Sequence, residues 1–223
     1  METSAKTVVP APNTPAERTA ARGSLWFYTV SRGICWAWCK VWFRHSATGA
    51  ENIPEAGPVV LACNHASHMD PLLLGTMVPR RCWYLARVSL GRIPLLGSWM
   101  RAVGIVFIDR KSPGRRSVES LISLLDAGEV VGMFPEGTRT RDGRIQRFER
   151  GLLLLLKKSQ ARVVPVGLRG SFAAYPPGGL FPKPRRCSAH FGPVWTADEV
   201  LADGGLESLR QKVAELSGAE LAE

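Results

Sequence analysis

The chain has 223 residues, of which 45% are hydrophobic, and no segment recurs at a period of roughly 20 to 50 residues. It can therefore bury one sizeable core, and a repeat array is excluded. The formal net charge of +10 favours anionic partners such as nucleic acid, lipid headgroups or phosphorylated small molecules. The five cysteines include no C-x-x-C pair, which argues against a disulfide framework or a zinc knuckle and favours a reducing compartment.

The chain begins with a tail, residues 1–23, that is rich in Pro, Ala and Thr. This tail lacks the apolar core of a secretory signal, and its composition predicts disorder. We place the first boundary after residue 23 and expect the folded domain to span residues 47–223.

The segment between these two parts, residues 24–46, is predicted to be helical and to lie at a membrane surface. It contains four of the seven tryptophans and would be roughly 30 Å long as one helix. That length could span a bilayer, but Arg32 near its middle would cost about 2.5 to 3.5 kcal/mol there. Tryptophan prefers the headgroup zone and arginine can reach lipid phosphates, so the pattern favours a monotopic anchor, split near Gly33. A bilayer span and an ordinary core helix remain as alternatives.

From residue 57 onward, short β-branched runs alternate with helical patterns, which is typical of an α/β fold. The predicted strands are 58–63, 81–86, 104–108, 130–134, 162–168 and 187–191. Apolar residues at helical spacing from Val118 to Leu125 predict a crossover helix between the third and fourth strands. A second amphipathic helix is predicted at 206–216, after a basic, Pro- and Gly-rich loop at 171–186.

The stretch NHASHMD, residues 64–70, follows the first predicted strand. His65 is therefore expected in a turn at the carboxyl edge of the sheet, where open α/β sheets place ligands. Asp70 falls at the start of the next helix, with Pro71 suited to its first position. From there the carboxylate can fold back and accept a hydrogen bond from Nδ1 of His65, which leaves Nε2 free to act as a base.

The same stretch also has a structural and a metal-based interpretation. Ser67-x-x-Asp70 fits a capping box, so Asp70 taken alone favours a structural role. A metal site would need further ligands, but only two histidines remain besides His65 and His68, and the chain has no H-E-x-x-H motif or cysteine cluster. We therefore predict that no metal is bound.

Two further strand ends are expected to converge on this edge of the sheet. The segment GIVFIDR ends on Arg110, and the segment FPEGTR carries Glu136, Gly137, Thr138 and Arg139. The guanidinium groups of Arg110 and Arg139 match phosphate oxygens, and Gly137 permits close approach of the backbone. Glu136 could hold a substrate hydroxyl.

Together these motifs resemble the 1-acyl-sn-glycerol-3-phosphate acyltransferase family, the lysophosphatidate acyltransferases. NHASHMD resembles the N-H-x4-D block, GIVFIDR the second block, FPEGTR the third, and VVPVGLRG at 163–170 the fourth. The resemblance covers residues 48–170. Two positions depart from the usual pattern, because Glu149 stands where a basic residue is common and Thr140 replaces a serine.

The resemblance implies an αβα sandwich with a central mixed, largely parallel sheet, preceded by an N-terminal helical membrane anchor. It implies transfer of a fatty acyl group from acyl-CoA or acyl-carrier protein to the sn-2 hydroxyl of lysophosphatidate, without a cofactor or a covalent enzyme intermediate. His65 would act as general base and Asp70 would orient it. The glycerol phosphate would contact Arg110, Glu136, Gly137, Thr138 and Arg139, while Asn64 and Ser67 would brace the turn. The fourth block would line the acyl pocket or pack in the core.

The expected partners are a phospholipid surface at the cytoplasmic face of the cell membrane, lysophosphatidate and the acyl donor. Related acyltransferases accept glycerol 3-phosphate or other lysolipids, so the acceptor stays open. A metal-dependent hydrolase using His65, His68 and Asp70, and a non-catalytic lipid-binding module, are the alternatives from other classes. Nucleic acid is not an expected partner, because the aromatic residues cluster with apolar residues rather than alternating with basic ones.

Overall fold

The computed structural model describes residues 25–103, 105–108 and 115–223, so the predicted N-terminal tail lies outside the described residues. Within this part of the chain, seven strands form one sheet at the centre of the fold. The strands are β1 (Ser46–Thr48), β2 (Val59–Cys63), β3 (Cys82–Arg87), β4 (Ile105–Ile108), β5 (Val130–Met133), β6 (Arg162–Arg169) and β7 (Ser188–Phe191). All six predicted strands are confirmed, each to within one residue at either end, and only the short β1 was missed.

Helices connect and cover these strands. They are α1 (Leu25–Trp42), α2 (Asp70–Met77), α3 (Val88–Gly91), α4 (Leu96–Ala102), α5 (Arg115–Asp126), α6 (Gly151–Ser159), α7 (Ser171–Ala174), α8 (Ala197–Leu201) and α9 (Gly205–Ser217). The predicted crossover helix is confirmed as α5 and the predicted C-terminal helix as α9. The intervening helices α3, α4, α6 and α8 carry no prediction from the sequence.

The strands lie in the order β1-β7-β6-β2-β5-β3-β4. Every neighbouring pair is parallel except β6 and β7, so the predicted mixed, largely parallel sheet is confirmed. The central strand β2 is buried along its whole length, as expected for a parallel strand that is covered on both faces. Because β5 is the parallel neighbour of β2, the loops that leave their carboxyl ends meet at one edge of the sheet.

Two apolar layers cover the two faces of the sheet. On one face, Val59, Leu61 and Cys63 of β2 pack with residues of α1 and α2. On the other face, Val60 and Ala62 pack with residues of α5, α6, α8 and α9. This alternation along β2 produces the three-layer α/β arrangement.

Helix α1 continues through Gly33 without the predicted split. Its Arg32 donates hydrogen bonds to the carbonyl oxygens of Gly75 (3.2 Å) and Val78 (2.6 Å), at the C-terminal end of α2. Arg32 therefore attaches the middle of α1 to the domain, because backbone carbonyl oxygens accept hydrogen bonds from its guanidinium. Within the described residues, no helix combines the length and the apolar character that crossing a bilayer requires.

Candidate active site

His65 and Asp70 form a hydrogen-bonded pair in the turn that follows β2. Nδ1 of His65 lies 2.9 Å from Oδ2 of Asp70. The side chain of Asp70 is fully buried, whereas the imidazole keeps 14% of its surface exposed. With its proton on Nδ1 facing the carboxylate, the imidazole presents Nε2 as a hydrogen-bond acceptor. This is the arrangement that a general base requires.

Asp70 also shapes the turn that holds His65. The same Oδ2 atom accepts hydrogen bonds from the backbone N–H groups of Ala66 and Ser67, both at 2.7 Å. The Ser67 contact is one half of the predicted capping box, but the N–H of Asp70 donates to the Ser67 carbonyl (3.4 Å) instead of the Ser67 hydroxyl. Asp70 lies in the first turn of α2, where the helix dipole favours negative charge. The carboxylate of Asp70 therefore holds the backbone of the turn and also contacts the imidazole of His65, so the two interpretations of Asp70 are compatible.

Glu136 supports the same turn from the loop after β5. Its Oε1 accepts a hydrogen bond from the N–H of His65 (2.6 Å), and its Oε2 accepts one from the N–H of Gln146 (2.9 Å). The residue is only 4% exposed, and burial raises the pKa of Glu136 to about 7, although the two N–H donors oppose that rise. The prediction placed Glu136 against a substrate hydroxyl. In the structure both carboxylate oxygens are instead engaged by the backbone, because the two loops close around the side chain.

Two further contacts position the imidazole. The ring of Phe134 stacks on His65, with centroids 4.1 Å apart and an angle of 21° between the planes. The carbonyl oxygen of His65 accepts a hydrogen bond from the N–H of Thr140 at 2.9 Å. Both partners come from the loop after β5, so this loop packs directly on the turn after β2 and is hydrogen-bonded to it.

Asn64 and Ser67 tie the turn to other elements. The amide of Asn64 donates to the Leu168 carbonyl (3.1 Å) and accepts from the Leu168 N–H (2.7 Å), which joins the end of β2 to β6. The hydroxyl of Ser67 donates to the carbonyl oxygen of Tyr175 (2.8 Å) and accepts from the N–H of Met69 (3.1 Å). Both side chains therefore brace the turn, as their positions in the motif suggested.

The remaining predicted residues follow Glu136 in the chain. Gly137 has a φ of +68°, and a Cβ atom there would come within 3.3 Å of Cγ of Glu149, so the turn favours glycine. Thr138 and Arg139 line a cavity together with His65. Arg110, the second predicted phosphate ligand, lies outside the described residues.

Two separate spaces open beside the described elements. The cavity beside His65 measures about 950 Å³. The space of about 650 Å³ is a different groove, lined by residues of α6, α8 and the start of α9. Only the cavity beside His65 concerns the candidate site.

This cavity has a polar and an apolar lining. The polar side chains near the His65 turn are His65, His68, Thr138, Arg139 and Arg141. The apolar side chains come from α2, the strands β3 and β4, and α4 with the turn after it, and include Leu72, Leu85, Trp99, Met100, Val103 and Ile105. A space of this size, with a few polar groups and an extended apolar wall, is typical of a small-molecule site.

Helix α1 and the sheet complete the walls of the cavity. Tyr28, Arg32 and Cys35 of α1 line it, and so does Tyr84 of β3. The ring of Tyr84 lies directly over Gly132, where a Cβ atom would come within 2.2 Å of Cε1 of the tyrosine. Glycine at this position therefore makes room for the tyrosine ring in the cavity wall.

His68 and His190 make contacts outside the hydrogen-bonded pair. His68 is exposed, with its ring 5.6 Å from that of Tyr175, and His190 of β7 contacts the hydroxyls of Thr48 and Ser188 at 2.9 Å each. Within the part of the chain that the structure describes, no group of three or more His, Cys, Asp or Glu side chains is arranged to hold a metal ion.

Several residues of the site were not identified from the sequence. Phe134 is the first residue of the third motif and Arg141 follows that motif, and the alternation of Arg139 and Arg141 was a usable signal for a second cation at the cavity. The sequence of α4 gave no sign that this helix forms the apolar wall of the cavity, because no pattern in it relates α4 to the NHASHMD motif some 30 residues earlier. The fourth motif, by contrast, forms the buried strand β6, and the cavity lining includes none of its described residues.

The part of the chain that carries the motifs is similar to known proteins. A family model described as "Acyltransferase" matches residues 44–169. The chain is 33% identical over 121 residues to the 1-acyl-sn-glycerol-3-phosphate acyltransferase of Bacillus subtilis, covering 54% of this chain and 60% of that protein. It is 35% identical over 126 residues to the human 1-acyl-sn-glycerol-3-phosphate acyltransferase alpha, covering 55% and 44% respectively. The chain thus spans about half the length of the curated relatives it matches.

A solved structure extends the similarity beyond the motifs. The crystal structure of the 1-acyl-sn-glycerophosphate (LPA) acyltransferase PlsC from Thermotoga maritima superposes with a TM-score of 0.71 and 26% sequence identity. The match covers 92% of this chain and 85% of that one. The similarity therefore includes the sheet and the helices on both of its faces.

Proposed function

The chain belongs to the acyltransferase family, and from this premise we propose that it transfers a fatty acyl group from an acyl thioester to the sn-2 hydroxyl of 1-acyl-sn-glycerol 3-phosphate, giving phosphatidate. The observation that carries the proposal is the His65–Asp70 pair beside a cavity that is cationic on one side and apolar on the other. Such a cavity suits a substrate with a phosphate and a hydrocarbon chain. The names of the relatives point to the same reaction.

In the proposed mechanism, Nε2 of His65 removes the proton of the acceptor hydroxyl as its oxygen attacks the thioester carbonyl. Asp70 holds Nδ1 of the ring and stabilises the imidazolium that forms. The tetrahedral intermediate then collapses and expels the thiolate, which takes up the proton from the His65 imidazolium and restores the neutral base. General-base assistance of this kind contributes roughly 10²- to 10⁴-fold in rate.

The phosphate of the acceptor would bind on the cationic side of the cavity. Arg139 and Arg141 line that side, together with Thr138, which precedes Arg139 in the sequence. Guanidinium groups bind phosphate oxygens through paired, charge-assisted hydrogen bonds. Gly137 lets the backbone turn sharply enough to bring these side chains to the cavity, and Arg110 stays a proposed second contact.

Glu136 acts in this proposal as a positioning residue. Its carboxylate holds the N–H of His65, and through Gln146 it fixes the loop that follows the phosphate-binding segment. The catalytic turn and the phosphate-binding loop are thereby kept in register.

The acyl chains would occupy the apolar side of the cavity, between α1, α2 and α4. The donor is an acyl thioester of coenzyme A or of acyl-carrier protein. We infer that no cofactor is needed, because the proposed reaction moves only an acyl group and a proton.

The lipid substrate suggests membrane association, and α1 offers a surface for it. Trp26, Ile34 and Val41 are 71%, 67% and 80% exposed on its outer side, and Trp36, Trp38 and Trp42 are at least 40% exposed. Tryptophan and aliphatic side chains partition into the interfacial zone of a bilayer. We propose that α1 lies on the cytoplasmic face of the cell membrane as a monotopic anchor.

The test is an assay of purified protein with an acyl thioester and lysophosphatidate, and in parallel with glycerol 3-phosphate. We expect thiol release and phosphatidate formation with lysophosphatidate, and we expect His65→Ala to lower turnover by at least 10²-fold. The matched control is His190→Ala, which removes a histidine of β7 outside the site. Near-native turnover of His65→Ala would refute the mechanism, and loss of activity on chelation would favour a metal-dependent hydrolase instead.

A further inference from the structure

The loop at residues 176–186 presents two large apolar side chains to solvent. Leu180 is 86% exposed and Phe181 is 80% exposed, which are among the highest values for apolar residues in the described part of the chain. Neither side chain belongs to the apolar core on either face of the sheet. Adjacent exposed apolar residues of this size indicate an interaction surface.

Hydrogen bonds hold this loop in a defined conformation. The N–H of Gly179 donates to the Pro176 carbonyl (3.0 Å), and the N–H of Lys183 donates to the Ala174 carbonyl (2.7 Å). The two ends of the apolar tip are thus fixed to the chain. Leu180 and Phe181 are displayed by a turn that the backbone supports.

The loop is joined to the outer surface of α1. Nε1 of Trp42 donates a hydrogen bond to the carbonyl oxygen of Pro182 at 3.2 Å. Trp42 is itself 40% exposed and belongs to the outer surface of α1 that includes Trp38 and Val41. The loop tip therefore continues the apolar surface of α1.

Basic side chains follow the apolar tip. Lys183, Arg185 and Arg186 are exposed within six residues of Leu180. A basic residue near an anionic bilayer contributes roughly 1 kcal/mol of attraction, and its side chain can extend to the phosphates. An apolar tip next to three cations is complementary to an anionic phospholipid surface.

The same segment borders the candidate active site. Pro177 lines the cavity, and the carbonyl oxygen of Tyr175 accepts the hydrogen bond of the Ser67 hydroxyl. A bilayer that contacts Leu180 and Phe181 would therefore lie close to the cavity.

We propose that the 176–186 loop is a second membrane contact, which inserts Leu180 and Phe181 into the interfacial zone of an anionic phospholipid bilayer and places the cavity at the lipid surface. The inference rests on the proposed function, because the contact would bring the cavity to a substrate that is embedded in the membrane. Its occupant is the bilayer, and a second copy of the chain is the alternative that the experiment tests.

The first measurement is binding of the full chain to vesicles of phosphatidylglycerol and phosphatidylcholine. We expect Leu180→Asp and Phe181→Asp each to weaken binding by roughly tenfold, because an apolar contact is lost and a negative charge is added. The matched control is Leu154→Asp, which alters a 46% exposed leucine of α6 on the opposite face of the sheet. Equal binding of the loop variants and the control variant would overturn the proposal.

The second measurement separates this proposal from the proposed function. With a short-chain, monodisperse lysophosphatidate we expect both loop variants to keep the wild-type kcat, and with vesicle-embedded lysophosphatidate we expect roughly tenfold lower turnover. If the wild type turns over neither substrate, the proposed function fails while vesicle binding still decides the role of the loop. If the wild type is a dimer without lipid and Phe181→Asp is a monomer, the surface is a protein contact and the membrane proposal is overturned.

Discussion

The turn after β2 and the outer surface of α1 use their side chains in opposite ways. At the turn, Asp70, Glu136 and Asn64 are buried, and each makes hydrogen bonds with backbone groups. On the outer surface of α1, Trp26 and Val41 are more than 70% exposed. The first region completes its interactions within the chain, whereas the second leaves apolar surface for a partner outside it.

This difference indicates what each region can contribute. A turn that is held by internal hydrogen bonds keeps its geometry before the substrate arrives, which is what positioning of a base requires. An apolar surface without internal partners gains stability only when it leaves water. Substitutions in the turn should therefore affect turnover and folding, and substitutions on α1 should affect membrane binding.

The largest effect is expected for Asp70→Asn. Asparagine keeps one oxygen that can accept the hydrogen bonds of Ala66 and Ser67, but it removes the charge that stabilises the His65 imidazolium in the proposed mechanism. We expect kcat to fall by about 10²- to 10⁴-fold. The exposed Asp203→Asn is the control, and kcat of Asp70→Asn within threefold of the wild type would contradict the role of the pair.

Glu136→Gln tests the turn through its pH dependence. Folding raises the pKa of Glu136 from 4.5 to about 7. Between these two pH values the folded protein therefore keeps a proton on Glu136 that the unfolded chain releases. The associated stability is therefore present below about pH 4.5 and lost as the pH rises towards 7, and it amounts to about 3 kcal/mol at most. Thermal unfolding between pH 4.5 and 8 should show a smaller pH dependence for Glu136→Gln than for the wild type. The exposed Glu149→Gln is the control, and parallel curves for wild type and Glu136→Gln would contradict the assignment.

The hydrogen-bonded pair of His65 and Asp70 could be predicted because its determinants are local. His65 and Asp70 are five residues apart, and the preceding apolar strand fixes the edge of the sheet at which they lie. The six strands could also be predicted from the sequence, since each is a short apolar or β-branched run between turn residues. The three residues of β1, all exposed, carry too little apolar pattern to be recognised.

The rest of the site depends on contacts between distant segments. The sequence suggested that Glu136 holds a substrate hydroxyl. It could not show the actual partners, because only the fold brings the N–H groups of His65 and Gln146 to the two carboxylate oxygens. Arg32 has the spacing of a polar stripe, yet its acceptors lie 43 and 46 residues further along the chain. The cavity wall from α4 is a product of packing in the same way, and no local pattern specifies it.

The smallest effect on folding is expected for Ile34→Gln on the outer surface of α1. Ile34 is 67% exposed, so its replacement should change the free energy of unfolding by no more than about 0.5 kcal/mol. Binding to anionic vesicles should nevertheless weaken by roughly three- to tenfold, because an apolar side chain no longer enters the interface. The control is Leu154→Gln on α6, which should leave both quantities unchanged. Unchanged vesicle binding of Ile34→Gln together with lower thermal stability would show that this surface of α1 serves packing within the protein, and the contrast between the two regions would then fail.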